Sequence, residues 1–351
     1  MINPSVENIV CNLCTERKPV FRAFFTVYVL RSGLSGHRLI KDRLICILLD
    51  FNGNFPQDLD TFLHLNEHLR FSLVSDLIKW GDFKHAIALY KELRKKNDFI
   101  LDKYDLLSLV KVCTELKDRE TSYSLYDDVV SKKGLLSFLG NAMVNMYAKC
   151  GMLRTAQEVF DQIPVRDVVS WNSLIIGYAR DEDGEKALDC LELMQIDGVS
   201  PDAITYVSSL KACGSIGDVE KGRELEVAIG SKGLLVSNLI VGNALIDMYA
   251  RCGMLEKANE VFENLKIRDI ISWNTIITGY TKHEKAEMAF KCFEEMELEG
   301  FSPNSVTYVC ILKLCGLVRD IDKGIEVHDN IVRKWLVERN LIIGNALIDM
   351  Y

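Results

Sequence analysis

The chain has 351 residues, 48% of them apolar, and a formal net charge of −8 from 42 Lys+Arg against 50 Asp+Glu. That apolar content excludes wholesale disorder, and apolar runs such as Leu44 to Leu49 fall far short of the roughly 20 residues that cross a bilayer. The acidic balance counts against a ligand such as nucleic acid, which is normally met by a basic face.

Residues 1–66 carry no copy of the pattern that fills the rest of the chain, and read as a targeting segment or a degenerate repeat. Cys11 and Cys14 form a Cys-x-x-Cys, but no second pair or His-x3-His completes a zinc site. Arg17, Arg22 and Arg31 lie near aromatic residues, yet Glu7, Glu16 and scarce serine make a poor transit peptide. Residues 67–102 read as a divergent helical module, with Gly81, Phe83 and Ala86 at the offsets seen later. Residues 103–136 read as another, ending its first helix on Leu109 to Cys113 (LVKVC).

From residue 137 the chain repeats itself. GNAMVNMYAKCG from Gly140, GNALIDMYARCG from Gly242 and GNALIDMY from Gly344 are each 102 residues apart; SWN recurs at Ser170 and Ser272, and TYV at Thr205 and Thr307, at the same offset. Each 102-residue unit divides into modules of 31, 35 and 36 residues, giving 137–167, 168–202, 203–238, 239–269, 270–304, 305–340 and a truncated 341–351. Within a module the apolar residues follow helical spacing. Trp171, Leu174, Ile175 and Tyr178 make one stripe, and Ala187, Cys190, Leu191 and Met194 a second. Asp183-Gly184 breaks the two helices apart, and Gly198 with Pro201, like Gly300 with Pro303, closes the hairpin. Hairpins with one apolar stripe per helix have no core of their own and must stack, which predicts an all-α protein with an α-solenoid architecture. Tyr351 falls inside the first helix of a module, so the sequence is expected to be a piece that stops mid-repeat.

The 31/35/36 rhythm, the SWN opening and the strings NALIDMYARCG (from Asn243) and SLKACG (from Ser209) resemble plant pentatricopeptide-repeat proteins of the P-L-S subclass, over about residues 67–351. Tetratricopeptide arrays, which bind protein, have uniform 34-residue units instead. The resemblance implies a right-handed superhelix of stacked hairpins that binds single-stranded RNA, one base per repeat. In that family the fifth and last residues of a repeat contact the base edge, and an aliphatic residue at position two packs on its face. Carried over, the readers are Asn141 with Asp167, Asn172 with Asp202, Asn243 with Asp269, Asn274 with Asn304, and Asn345, whose partner position is not among the 351 residues. Val169, Ile240 and Ile271 are the base-packing residues. Asn with Asp implies uracil, and Asn with Asn a pyrimidine. Val207 with Asn238, Val309 with Asn340 and Leu107 with Leu136 depart from the family's pairs and are expected to act as spacers. The resemblance further implies site recognition for organellar RNA processing or C-to-U editing, through a C-terminal extension or through editing factors or a deaminase acting in trans, in a mitochondrion or chloroplast.

Helix geometry is compatible with this. Asn172 lies about 100° round the helix from Trp171 in the core stripe, and an amide offers both donor and acceptor. The competing reading of such residues is helix capping; Ser170 and Ser272 are expected to fill that role, leaving Asn172 and Asn274 for the ligand. A protein-binding scaffold without RNA affinity is the alternative function. Cysteines at equivalent positions (Cys113, Cys213 and Cys315; Cys150 and Cys252; Cys190 and Cys292) read as core, and no cofactor is implied. No histidine begins His-x-Glu, so a zinc deaminase signature is absent and the chain is not expected to be an enzyme. With a net charge of −8, RNA binding is expected to depend only weakly on salt.

Overall fold

A computed structural model describes residues 74, 77–78, 83–95, 103–130, 135–336 and 340–351, which form two compact units, Met1–Met146 and Tyr147–Tyr351. The Cys11–Cys14 motif, the rest of residues 1–66 and the Leu136 side chain lie outside what is described.

In the first unit, α1 (Phe83–Lys95) packs on α2 (Lys103–Leu116), which packs on α3 (Arg119–Val130). Ala86, Leu89, Tyr90, Leu106, Leu109, Cys113, Leu125 and Val129 are buried there. Helix α4 (Leu135–Lys149) runs across the boundary.

The second unit is a stack of hairpins. After α5 (Leu153–Asp161) come α6 (Val168–Arg180) with α7 (Gly184–Ile196), then α8 (Ala203–Ile216) with α9 (Val219–Ser231). A four-residue turn of helix, α10 (Leu234–Ser237), which the hairpin pattern did not anticipate, precedes α11 (Leu239–Arg251) and α12 (Leu255–Glu263). The series ends with α13 (Ile270–Lys282) and α14 (Ala286–Leu298), α15 (Ser305–Val318) and α16 (Ile321–Arg333), and α17 (Leu341–Met350). Successive first helices pack on one another, α6 on α8, α8 on α11, α11 on α13, α13 on α15 and α15 on α17. The second helices α7, α12 and α14 fill the seams between their own first helix and the next. Each apolar stripe read from the sequence is buried in this way, which makes the unit an α-solenoid with a continuous first-helix layer.

Two contacts tie one module to the next. Phe160 and Phe262, on second helices, meet Trp171 and Trp273 edge to face, with ring centroids 4.5 and 4.7 Å apart. A Cβ on Gly279 would lie 2.7 Å from the Ala250 Cβ, so glycine is what lets α13 approach α11. The described cysteines form no disulfide with one another, and Cys113, Cys190, Cys213, Cys292 and Cys315 are buried. Burial pushes the Cys190, Cys213 and Cys292 thiols up to about 12, so they are inert packing residues.

The caps correct one expectation. Asp167 and Asp269 cap α6 and α13 with side chains that accept from the Ser170 and Ser272 backbone N–H. Ser170 and Ser272 are instead the third helical residues, and complete the reciprocal capping box. A serine three residues into a helix binds back to the cap position; it does not occupy it. Asp202 caps α8 and Asn304 caps α15 in the same way, with Thr205 and Thr307 as their box partners.

Candidate nucleic-acid interface

The second residue of every first helix from 168 onward is apolar and open to solvent. Val169, Ile240 and Ile271 are 54%, 67% and 61% exposed. Ile204, Val306 and Ile342 occupy the same place and are also exposed. These three were not singled out in the sequence, although the common register alone identifies them.

Three residues further on, the asparagines sit deeper than a freely exposed reader would. Asn172, Asn243 and Asn274 are only 6%, 8% and 9% exposed. The next first helix packs over them, and for Asn172 and Asn274 its cap and third residue hold the amide. Asn172 Nδ2 donates to Asp202 Oδ1 at 3.1 Å, and Thr205 Oγ1 donates to Asn172 Oδ1 at 2.6 Å. One cycle later, Asn274 Nδ2 donates to Asn304 Oδ1 at 3.2 Å, and Thr307 Oγ1 donates to Asn274 Oδ1 at 2.6 Å. Two of the sequence-derived pairs are therefore in direct contact across 30 residues of chain.

The chemistry of the partners assigns the amide orientations. A carboxylate only accepts, so the Asn172 atom facing Asp202 is nitrogen. Backbone N–H groups only donate, and those of Val306 and Thr307 reach Asn304 Oδ1 at 3.0 and 3.2 Å, so its Nδ2 is the end left over. The 168 module thus offers one amide donor beside a carboxylate acceptor, whereas the 270 module offers two amide donors. Burial alone would raise the Asp202 carboxyl, but hydrogen bonds from the Thr205 and Ile204 backbone, Asn172 and the Thr205 hydroxyl outweigh it. The carboxyl is held below its ordinary value.

Asn243 and Asp269 are not joined. Asp269 Oδ1 accepts from Ser272 N at 2.8 Å and Ser272 Oγ at 2.9 Å, and the buried Asn243 Oδ1 has no partner among the described residues. Asn141 is half-buried on α4, Asp167 is an exposed cap, and Asn345 is exposed on α17. Of the spacer positions, Val207, Val309 and Leu107 are half-buried, and Asn238 and Asn340 cap α11 and α17.

Cations occupy the same helix face. Position nine or thirteen of a module lies within about 80° of position five. It holds Lys149, Arg180, Lys211, Arg251, Lys282 or Lys313, all exposed. Arg251 pairs with Asp247 at 2.7 Å; the other five form no ion pair among the described residues. The charge is segregated by layer. First helices from α4 to α15 carry six Lys/Arg and one Asp. Second helices from α5 to α16 carry eight Lys/Arg and eighteen Asp/Glu. Most second-helix cations are consumed in ion pairs, such as Lys221 with Glu192 and Lys323 with Glu294. The net −8 averages an acidic layer and a basic one.

Among the described residues no helix is long and apolar enough to cross a membrane, and no group of three or more His, Cys, Asp or Glu could hold a metal ion.

The sequence matches the PPR repeat family over residues 166–215 and 268–316, and the PPR repeat over 72–98, 141–168 and 243–270. A mitochondrial pentatricopeptide repeat-containing protein of Arabidopsis thaliana is 30% identical over 302 residues, covering 76% of this chain and 44% of the relative. A chloroplastic one from the same plant is 29% identical, covering 92% and 40%. The chain therefore spans less than half the length of these relatives. Among solved structures, the maize pentatricopeptide repeat protein PPR10 aligns over 100% of this chain and 46% of its own, with a TM-score of 0.60 at 19% identity. PPR10 in complex with an 18-nt psaJ RNA element aligns over 92% and 51%, with a TM-score of 0.52 at 17% identity.

Proposed function

The chain belongs to the pentatricopeptide-repeat family, and on that premise we propose that it is a sequence-specific single-stranded RNA binder acting in an organelle, mitochondrion or chloroplast. The observation that carries this reading is the paired amide and cap side chains, Asn172 with Asp202 and Asn274 with Asn304, set between an exposed aliphatic residue and an exposed cation on one helix face. Single-stranded RNA is read in this way, by splayed bases packed on side chains and bonded through their edges.

Each module then has a division of labour. Val169, Ile204, Ile240, Ile271 and Val306 supply apolar contact to base faces, and the cations at positions nine and thirteen meet phosphates. The Asn172/Asp202 edge complements a base with a donor next to an acceptor. Uracil, which the family resemblance selects, presents its N3–H beside a carbonyl. The Asn274/Asn304 edge presents two donors, which suits cytosine, whose N3 and O2 are adjacent acceptors. With Asn141/Asp167 and Asn243/Asp269 read as uracil and Asn345 as a pyrimidine, the footprint is 5′-U-U-n-U-C-n-Y-3′. Editing or other processing at the bound site would be supplied by factors in trans or by further sequence. The acidic balance that suggested a protein scaffold lies on the second helices, away from this face.

The test is fluorescence anisotropy of the full chain with this heptamer and with versions substituted at single bases. Preference for uracil at the second base and cytosine at the fifth is expected. Equal binding of a purine-substituted oligonucleotide refutes the reading. Asn172→Thr is expected to move preference at the second base from uracil towards guanine, as the family resemblance implies.

A further inference from the structure

We infer that Thr205 and Thr307 are positioning residues that set how stringently the preceding repeats discriminate bases; this rests on the RNA-binding reading above. Neither threonine belongs to the reader pair. Each is the third residue of the following first helix, where its backbone N–H closes the capping box. Its hydroxyl accepts from the cap N–H at 3.1 Å in both modules and lies 2.9 Å (Thr205) or 3.2 Å (Thr307) from the cap Oδ1, and it also reaches back 33 residues to the preceding asparagine at 2.6 Å. That bond takes the amide oxygen as acceptor and leaves Nδ2 facing the cap. The side chain cannot then flip and present an acceptor to the base instead of a donor. A locked amide offers one hydrogen-bonding face, and a free one offers two.

The same chain contains the control. Asn243 occupies the same position, and its module ends on Asp269, as the 168 module ends on Asp202. Here the third helical residue is Ser272, whose hydroxyl donates to its own cap, Asp269 Oδ1, at 2.9 Å. Asn243 Oδ1 is left buried with no partner among the described residues. Ser and Thr differ by one methyl group, which restricts χ1 in threonine. Both hydroxyls touch their own cap, but only the threonine hydroxyls also meet the preceding asparagine. The array thus alternates a locked reader (Asn172, Asn274) with an unlocked one (Asn243).

The experiment measures base preference of the full chain on the heptamer and its single-base variants for wild type, Thr205→Val, Thr307→Val and Ser272→Thr, with thermal melts as a check on folding. Loss of one hydrogen bond of ordinary strength corresponds to roughly a three- to tenfold change. Thr205→Val is expected to lower discrimination at the second base by about that factor, and leave the fourth and fifth bases unchanged. Thr307→Val should do the same at the fifth base only, and serves if Thr205→Val fails to fold. Ser272→Thr, which adds the methyl and recreates beside Asn243 the threonine found beside Asn172 and Asn274, should raise discrimination at the fourth base. A purely structural role would weaken binding to all oligonucleotides equally. Base-selective binding by wild type with preferences unaltered in both valine variants overturns this inference alone. No RNA binding by wild type refutes the functional reading on which it rests.

Discussion

Salt titration separates the two readings of charge most sharply. The whole-chain value of −8 predicts a shallow dependence of RNA affinity on ionic strength. The structure predicts the opposite, because Lys149, Arg180, Lys211, Lys282 and Lys313 form no ion pair among the described residues and lie on the first-helix face, while the acids crowd the second helices. Each phosphate contact on a single strand contributes about −0.7 to the slope of log K against log salt, so five contacts give about −3.5. Raising salt from about 50 to about 200 mM should then weaken binding roughly a hundredfold. The assay is anisotropy with the heptamer across that range, for wild type and for Lys211→Gln and Lys282→Gln. Each substitution should reduce the slope by about 0.7 without altering base preference. Arg251→Gln should change it less, since Asp247 already holds that guanidinium at 2.7 Å. A wild-type slope near −1, or slopes identical in the lysine variants, would show that these cations do not meet phosphates and that the net charge is the better guide.

Two glycines should respond oppositely to alanine in thermal or urea melts. Gly279→Ala places a methyl 2.7 Å from the Ala250 Cβ, which cannot rotate away, and is expected to cost about 1–3 kcal/mol. Gly230→Ala meets nothing within 4 Å and should stabilise α9 by about 0.5 kcal/mol. Acid titration probes the cap that holds Asn172. Because the folded Asp202 carboxyl is held below its ordinary value, its contribution to stability is present above the unfolded pKa of about 3.9 and is lost as pH falls through the folded one. Asp202→Asn, which recreates the arrangement at Asn304, should flatten that part of the pH–stability curve; an unchanged acid limb would show that the carboxylate carries no linkage.

Much of the molecule was legible because its determinants are local. The stripe Trp171, Leu174, Ile175 and Tyr178 can be buried only by a helix, and its recurrence 102 residues later requires neighbours that stack in the same way. The pairing of Asn172 with Asp202 came from resemblance and register. Its role division did not: Asp167 and Asp269 cap helices, and Ser170 and Ser272 complete the capping box as third helical residues. Periodicity places a residue on a face, but an N-cap and a third helical residue are distinguished only by the backbone angles of the turn between them.

What the sequence by itself determined, therefore, is the repeat, the helices and the row of candidate readers, since a one-dimensional array needs only short-range patterning to specify its unit. The tertiary structure decided which cations are free, which asparagine amides are locked and that the charge divides by layer. Those properties depend on side chains about 30 residues apart meeting across the seam between modules, such as Thr205 with Asn172 and Lys221 with Glu192. Whether such a bond forms turns on the rotamers of the two side chains and the packing of their helices, which no composition or period records.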